Sequence, residues 1–136
     1  MRCRNRLILL GTIAAILLAV AAGSASASVG TITIDPKGTL SAHGTQATVS
    51  GTINCFSGDL VQLFANVTET VGRVQRYARG FTDVFCTGAV QPWSVPMTAL
   101  STTLSLVPGP ANVGAFAFDE SDFTQTSTMG SVLLVP

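Results

Sequence analysis

The chain has 136 residues, and its seven lysine and arginine residues balance its seven aspartate and glutamate residues. This length matches one domain. Residues 28–136 alone hold four cations against seven carboxylates, a net charge of −3. They therefore lack the clustered excess of Lys and Arg with which proteins bind nucleic acids or anionic lipid surfaces.

The first 27 residues have the pattern of a secretory signal peptide. Three arginines at positions 2, 4 and 6 precede an uncharged apolar run over 7–22, and the Ala25-x-Ala27 pair that follows fits a signal-peptidase site. A retained membrane anchor is the alternative, but it needs about 20 apolar residues. We therefore expect cleavage after Ala27, a secreted bacterial protein, and no membrane span in its mature form.

Two cysteines, Cys55 and Cys86, remain after cleavage. An even number of cysteines in an exported chain favours one disulfide, although two buried free thiols stay open as an alternative. A disulfide that closes a loop of this length should stabilise the fold by roughly 3.5–4 kcal/mol. Since His43 is the only histidine and the cysteines are isolated, no metal-ligand spacing is present, and we predict neither a metal nor a cofactor.

The elements predicted in the first half of the domain are short strands. Residues 31–34 alternate polar and apolar side chains before a turn at Asp35-Pro36-Lys37-Gly38. Residues 46–55 alternate with Cys55 on the apolar face, which predicts a core-facing sulfur. Residues 61–68 have the strongest alternation and predict a central strand, on which Phe64 has the outward parity.

The middle of the chain predicts a hairpin connection over 69–72, a weaker strand over 73–79 and a separate strand over 80–86. Two prolines, Pro92 and Pro96, then bracket Trp93. Because proline cannot donate to a strand ladder, this segment should lie at a sheet edge or begin a strand, with Trp93 covering the core.

The last predicted strands cover 115–118 and 131–135. They follow the strand-breaking cluster 107–110 and are separated by the acidic loop 119–122. Seven to eight strands at this spacing predict an all-β fold: an immunoglobulin-like antiparallel β-sandwich of two sheets over residues 28–136.

Several segments of the domain together resemble a family of small secreted domains of unknown function from high-GC Gram-positive bacteria. The resemblance lies in segments 51–55, 71–73, 85–88, 91–95 and 108–111, with Ala115 and Ala117. The resemblance implies an exported, disulfide-linked, immunoglobulin-like β-sandwich. It does not indicate an activity, because the family has no established one. A more distant likeness to the neocarzinostatin apoproteins rests on export, size and β content, and those proteins generally have two disulfides.

Sites of hydrolysis and metal binding find little support in the sequence. Nucleophilic catalysis needs a base, and His43, the only imidazole, falls in a loop. The acidic residues Asp119, Glu120 and Asp122 lack the spaced pattern of a calcium loop. We therefore expect no enzymatic activity, and a hydrolase is the least favoured interpretation.

The candidate ligand surface consists of three arginines and two aromatic residues. Arg73, Arg76 and Arg79 lie close together, and on a strand Arg76 would face away from the other two. They are interpreted either as protection of an edge strand or as a patch for an anionic partner. Phe64 and Tyr77 are the aromatics predicted to face outward, where a ring can stack on sugar or cover a second sheet face.

These features predict a secreted, non-enzymatic binding or structural module. The partner is unknown, and a cell-wall polymer or an extracellular protein fits best. The alternative is a carrier that holds a hydrophobic small molecule between the sheets or beneath the loops.

Overall fold

The computed structural model describes residues 28–101 and 103–136, so the predicted signal peptide lies outside the described residues. Within this region all regular structure is β, and no α-helix is present. The strands are β1 Val29–Ile32, β2 Lys37–Leu40, β3 Gln46–Cys55, β4 Leu60–Val71, β5 Val74–Phe85, β6 Val90–Ala99, β7 Gly109–Asp119 and β8 Gln125–Val135. In the part of the chain described, no helix could span a membrane.

Alternation of buried and exposed side chains accounts for the long strands. The predicted strand over 46–55 is confirmed as β3, whose odd-numbered residues from Ala47 to Cys55 are all buried. On β4 the odd-numbered residues from Val61 to Glu69 are buried, and Phe64 is exposed. A period of two places one face of each strand on the core, and the opposite face is left for solvent or a ligand.

The strands form one sheet in the order β1-β3-β2-β8-β7-β4-β5-β6, and β6 pairs back onto β3. Strands β2 to β8 therefore make a closed ring of seven. β1 is not part of the ring: it pairs with the C-terminal end of β3, at residues 53 and 55, whereas β2 pairs with β3 at residues 47 and 48. Two short seams complete the ring. One joins β5 to β6 at Ala78–Ala99 and Arg79–Thr98, and the other joins β2 to β3 at Thr39–Thr48 and Leu40–Ala47.

The predicted all-β class and the strand number are therefore confirmed, whereas the arrangement differs from the predicted two-sheet antiparallel sandwich. β2 runs parallel to β8 and antiparallel to β3, so it bridges two groups of strands that a sandwich would keep separate. This bridge and the β5–β6 seam give a closed sheet.

The segment 69–86 also differs from its prediction. β4 continues to Val71, and a two-residue turn at Gly72–Arg73 leads into β5, which is one continuous strand. Gly72 takes the positive φ of 63° that the first position of a type II′ hairpin turn requires. The prediction of two strands broken near Gly80 was wrong because that glycine lies inside the ladder, opposite Ala65.

The core fills the inside of the ring, and the predicted disulfide Cys55–Cys86 lies in it, with both cysteines buried. Trp93 is buried as predicted and donates from Nε1 to the Thr52 carbonyl oxygen at 3.1 Å. Trp93 lies on β6, which pairs with β3 along 90–98 and with β5 only at its end. Most of the β6 edge that faces β5 is therefore unpaired. This arrangement accommodates Pro92 and Pro96, because proline has no N–H to donate to a neighbouring strand. The largest fully buried apolar side chains are Val49, Ile53, Val61, Leu63, Val67, Val95, Met97, Val113, Val132 and Leu134.

Gly80 permits the closest approach of β6 to β5. A Cβ atom at this position would lie 2.1 Å from the carbonyl oxygen of Pro96. No rotamer relieves a backbone contact of this kind, so any side chain would push β6 away from β5. The absence of a side chain at Gly80 therefore permits the seam to form.

We predict that Gly80→Ala destabilises the protein by at least about 1–3 kcal/mol, the usual cost of overpacking, because the added methyl group separates the seam. Urea unfolding followed by tryptophan fluorescence measures this change. Gly130→Ala in β8 is the matched control, since its nearest neighbour would be an Ile34 side-chain atom at 3.7 Å. A Gly80→Ala protein as stable as the control would contradict the role assigned to Gly80.

Candidate functional site

The outer face of β8, β7, β4 and β5 carries a row of phenylalanine rings. Phe64 on β4 is paired with Phe81 on β5 and with Phe116 on β7. The ring centroids of Phe64 and Phe81 are 6.0 Å apart, and those of Phe64 and Phe116 are 6.4 Å apart. Phe81 is 66% exposed. Three strands thus present adjacent aromatic rings to solvent.

The parity of β7 explains why Phe116 faces outward. Ala115 and Ala117 are buried, so the alternating phenylalanines at 116 and 118 lie on the opposite face. Inside the ring Ala115 is paired with Ala65, so small residues meet across the β4–β7 ladder. The larger aromatic side chains are therefore left outside the core.

A concavity opens beside the phenylalanine row. The neighbouring row of paired residues consists of Arg79, Asn66, Gly114 and Met129. Gly114 has no side chain, so the floor is low there, while side chains on both sides project outward. The concavity has a volume of about 920 Å³, and Pro96 and Thr98 of β6, with Ser127 and Thr128 of β8, contribute to its lining.

The concavity has an apolar wall and a polar one. The phenylalanine row and Met129, which is 82% exposed, supply the apolar surface. Arg79 supplies a positive charge, and the Asn66 side-chain oxygen accepts a hydrogen bond from the Gly114 N–H at 3.3 Å. Among the described residues Arg79 forms no ion pair. The site can therefore bind a ligand that has both an apolar face and a negative charge.

The structure separates the five residues of the predicted ligand surface. Phe64 and Arg79 line the concavity. Tyr77 is exposed two residues from Arg79 on the same face of β5, and its hydroxyl donates to the Gln75 side-chain oxygen. Arg73 lies in the β4–β5 turn, and Arg76 faces the opposite side of β5, where it is largely buried.

Phe81, Phe116, Asn66 and Met129 also line the concavity and were missed from the sequence. The parity of β4 already placed Asn66 on the face of Phe64. For Phe116 the signal was its alternation with Ala115 and Ala117, but the larger apolar residue is ordinarily assigned to the core.

Arg76 belongs to a buried polar cluster at the hairpin end of the ring. Its Nη1 lies 3.8 Å from Glu69 Oε1 and donates to the Ser105 carbonyl oxygen at 2.8 Å. Both oxygens of Glu69 accept a hydrogen bond from the Val107 N–H. These contacts fasten the 100–108 connection to β4 and β5, so Arg76 is occupied by contacts within the fold.

A second polar cluster, here called the acidic end, lies at the opposite end of β4 and consists of Asp59, Asp119 and Asp122. Asp119 is fully buried; it accepts hydrogen bonds from the Ser28 hydroxyl at 2.8 Å and from the N–H and hydroxyl of Ser121. Asp122 accepts from the N–H and hydroxyl of Thr124. The cluster fixes the loop between β7 and β8.

Hydrogen bonding and charge shift the pKa values of these carboxyl groups in different directions. Burial alone would raise the pKa of Asp119, but hydrogen bonds from Ser121 and Ser28 outweigh it and lower that pKa. Hydrogen bonds from Thr124 and Ser28 lower the pKa of Asp122 to about 2. Burial and the negative charge of Asp119 raise the pKa of Asp59.

We predict that the free energy of unfolding falls as the pH drops from about 4 to about 2. A carboxyl group whose pKa is lowered in the folded state stabilises the fold above its unfolded pKa. That contribution is lost as the pH falls through the folded pKa. Urea unfolding as a function of pH measures the effect, and Asp122→Asn should flatten the curve in this window. Glu120→Gln, in the same loop, is the control; an identical flattening in both variants would contradict the assignment to Asp122.

None of the described histidine, cysteine, aspartate or glutamate residues lines the concavity. Within the described residues no three His, Cys, Asp or Glu side chains are placed to hold a metal ion. His43 is exposed in the turn between β2 and β3 and does not line the concavity.

Comparison with known proteins gives one family match. The sequence model of DUF6299, a family of unknown function, matches residues 28–127. No curated protein matches the sequence.

Two solved structures show distant similarity. A FixG-related protein from Vibrio parahaemolyticus has a TM-score of 0.43 and 13% identity, and the alignment covers 80% of this chain and 98% of that one. The sporulation control protein Spo0M from Bacillus subtilis has a TM-score of 0.34 and 11% identity, with 81% of this chain and 49% of that one covered. Neither similarity is close enough to indicate a function.

Proposed function

This chain belongs to DUF6299, a family of unknown function, and from that premise we propose that it is an exported, non-enzymatic binding module whose ligand is an anionic polysaccharide of the cell envelope. The observation that carries the proposal is the row of three exposed phenylalanine rings beside the Arg79 guanidinium, which forms no ion pair with any described residue. Export rests on the predicted signal peptide, and the Cys55–Cys86 disulfide is compatible with it.

The exposed aromatic residues support a binding role. Soluble proteins seldom leave several large apolar side chains contiguous on their surface unless that surface contacts something. Here the rings stand on the paired strands β4, β5 and β7, so their positions are set by the ladder and little order has to be gained on binding.

The chemistry of the concavity favours a sugar polymer over a protein partner. Phenylalanine rings pack against the apolar faces of sugar rings, whereas the hydroxyl groups of sugars need hydrogen-bonding partners. Asn66, Thr98 and Ser127 supply such groups around the rings. The guanidinium of Arg79 suits a carboxylate or phosphate on the polymer.

A carrier of small hydrophobic molecules is the second candidate function. The volume of about 920 Å³ favours it, because pockets for small ligands usually measure about 300–1,000 Å³. The ligand would then lie on the outer face of the sheet. The inner face, where a carrier could also hold its ligand, is packed with buried side chains.

The test is sedimentation of the secreted protein with cell walls isolated from a Gram-positive bacterium. We expect binding to walls that retain their anionic polymers and its loss after these polymers are extracted with acid. Phe81→Ala should weaken binding about 5- to 30-fold, equal to about 1–2 kcal/mol. Arg79→Gln should weaken binding and reduce its dependence on salt concentration.

Matched variants distinguish binding at the concavity from nonspecific adsorption to the walls. Phe56→Ala removes another exposed phenylalanine, 63% exposed, that does not line the concavity, and Arg73→Gln removes an arginine in the turn. Both should bind walls like the unmodified protein. Equal losses in all four variants, or no binding to either wall preparation, would overturn the proposal. A small molecule that co-purifies with the protein and is lost in Phe81→Ala would favour the carrier instead.

A further inference from the structure

The first described residue, Ser28, is held tightly at the acidic end. It is only 7% exposed, and its hydroxyl donates to Asp119 Oδ2 at 2.8 Å and lies 2.8 Å from the Thr124 hydroxyl oxygen. Its carbonyl oxygen accepts a hydrogen bond from the Phe56 N–H at 2.7 Å. The backbone of Ser28 therefore starts β1 at a fixed point beside the carboxylates.

Among the residues that the structure describes, no cationic side chain forms an ion pair with the carboxylates around Ser28. Within residues 28–101 and 103–136 the only ion pair joins Arg76 to Glu69, at the opposite end of β4. Asp119 is fully buried, and a buried carboxylate without a nearby positive charge is costly even when it is hydrogen-bonded. The acidic end thus holds an excess of negative charge around one backbone position.

We propose that cleavage after Ala27 creates the missing cation, and that the new α-ammonium group of Ser28 binds at the acidic end between Asp119 and Asp122. In the cleavage, water hydrolyses the Ala27–Ser28 amide bond. The released leader keeps the new carboxylate, and Ser28 keeps the nitrogen, which takes up a proton. One amide N–H is thereby replaced by three donors and a positive charge.

This proposal depends on the predicted cleavage site and is independent of the proposed ligand. Its consequence is that processing completes the fold: the ammonium group ties β1 to the β7–β8 loop, which the uncharged amide of the precursor cannot do as strongly. Asp59, whose pKa the charge of Asp119 raises, is the third acid that the ammonium group would stabilise in its charged form.

The sequence permits a direct test, because Lys37 is the only lysine of the chain. In Lys37→Arg the secreted protein has one primary amine, the α-amine of Ser28. The full chain is expressed in an exporting host, the product is sequenced from its N-terminus, and the rate of its acetylation by acetic anhydride is measured against pH. An ordinary α-amine has a pKa of about 7.7–8.0.

We expect the product to begin at Ser28 and its α-amine to have a pKa of about 9 or higher, which slows acetylation at pH 8 about fivefold. The stabilisation by this ion pair is complete below the unfolded pKa and is lost as the pH rises through the folded pKa. Acetylated protein should therefore unfold at a lower urea concentration than unmodified protein at pH 7.

Asp122→Asn should restore ordinary reactivity of the amine, whereas Glu120→Gln, an exposed acid of the same loop, should leave it unchanged. Asp122 is exposed, so this variant avoids the folding defect that Asp119→Asn risks. An α-amine that titrates at about 7.7–8.0 in the folded protein, or a product that begins at another residue, would overturn the proposal. Wall binding at the aromatic concavity, on another part of the sheet, would be unaffected by either outcome.

Discussion

Closure of the sheet is the constraint on which the rest of this structure depends. Two backbone hydrogen bonds extend joints of the ring: Leu100 N–H donates to the Tyr77 carbonyl oxygen at 2.9 Å beside the β5–β6 seam, and Leu133 N–H donates to the Pro36 carbonyl oxygen at 2.9 Å beside the β2–β8 pairing. With β5 and β6 joined at one seam and β2 joined to both β3 and β8, the inner faces of the strands surround one core. The disulfide adds a covalent link between β3 and the residue after β5.

Closure also determines where function can lie. The inside of the ring is packed with buried side chains over the described residues, which is why the proposed binding surface lies on the outer face. Polar clusters lie at the two ends, Glu69 with Arg76 at one and Asp119 with Ser28 at the other. On the outer face of β8-β7-β4-β5 the phenylalanine row and Arg79 form the concavity. The same ladder that closes the core thus fixes the geometry of the candidate site.

Much of the fold could be predicted from local pattern. The alternation over 46–55 predicted the bounds of β3 and the inward direction of Cys55, and the alternation over 61–68 predicted the outward direction of Phe64 on β4. What could not be predicted depends on contacts between distant residues. In the sequence Gly80 resembles the end of a strand. In the structure a glycine is needed at this position because the Pro96 carbonyl of β6 approaches it too closely for a side chain. The parallel pairing of β2 with β8 joins residues almost 100 positions apart and has no local signal. For the same reason the sequence identified two of the concavity residues and missed their partners on β7 and β8.

The most direct test of this account is native-state hydrogen exchange of the purified protein, followed residue by residue by NMR. In a closed sheet the amides of Leu100 and Leu133 exchange as slowly as those in the middle of β7, because separating β5 from β6, or β2 from β8, exposes the core and requires most of the free energy of unfolding. If these two amides exchange at the rate of exposed loops while β7 stays protected, the sheet is open and the account is wrong.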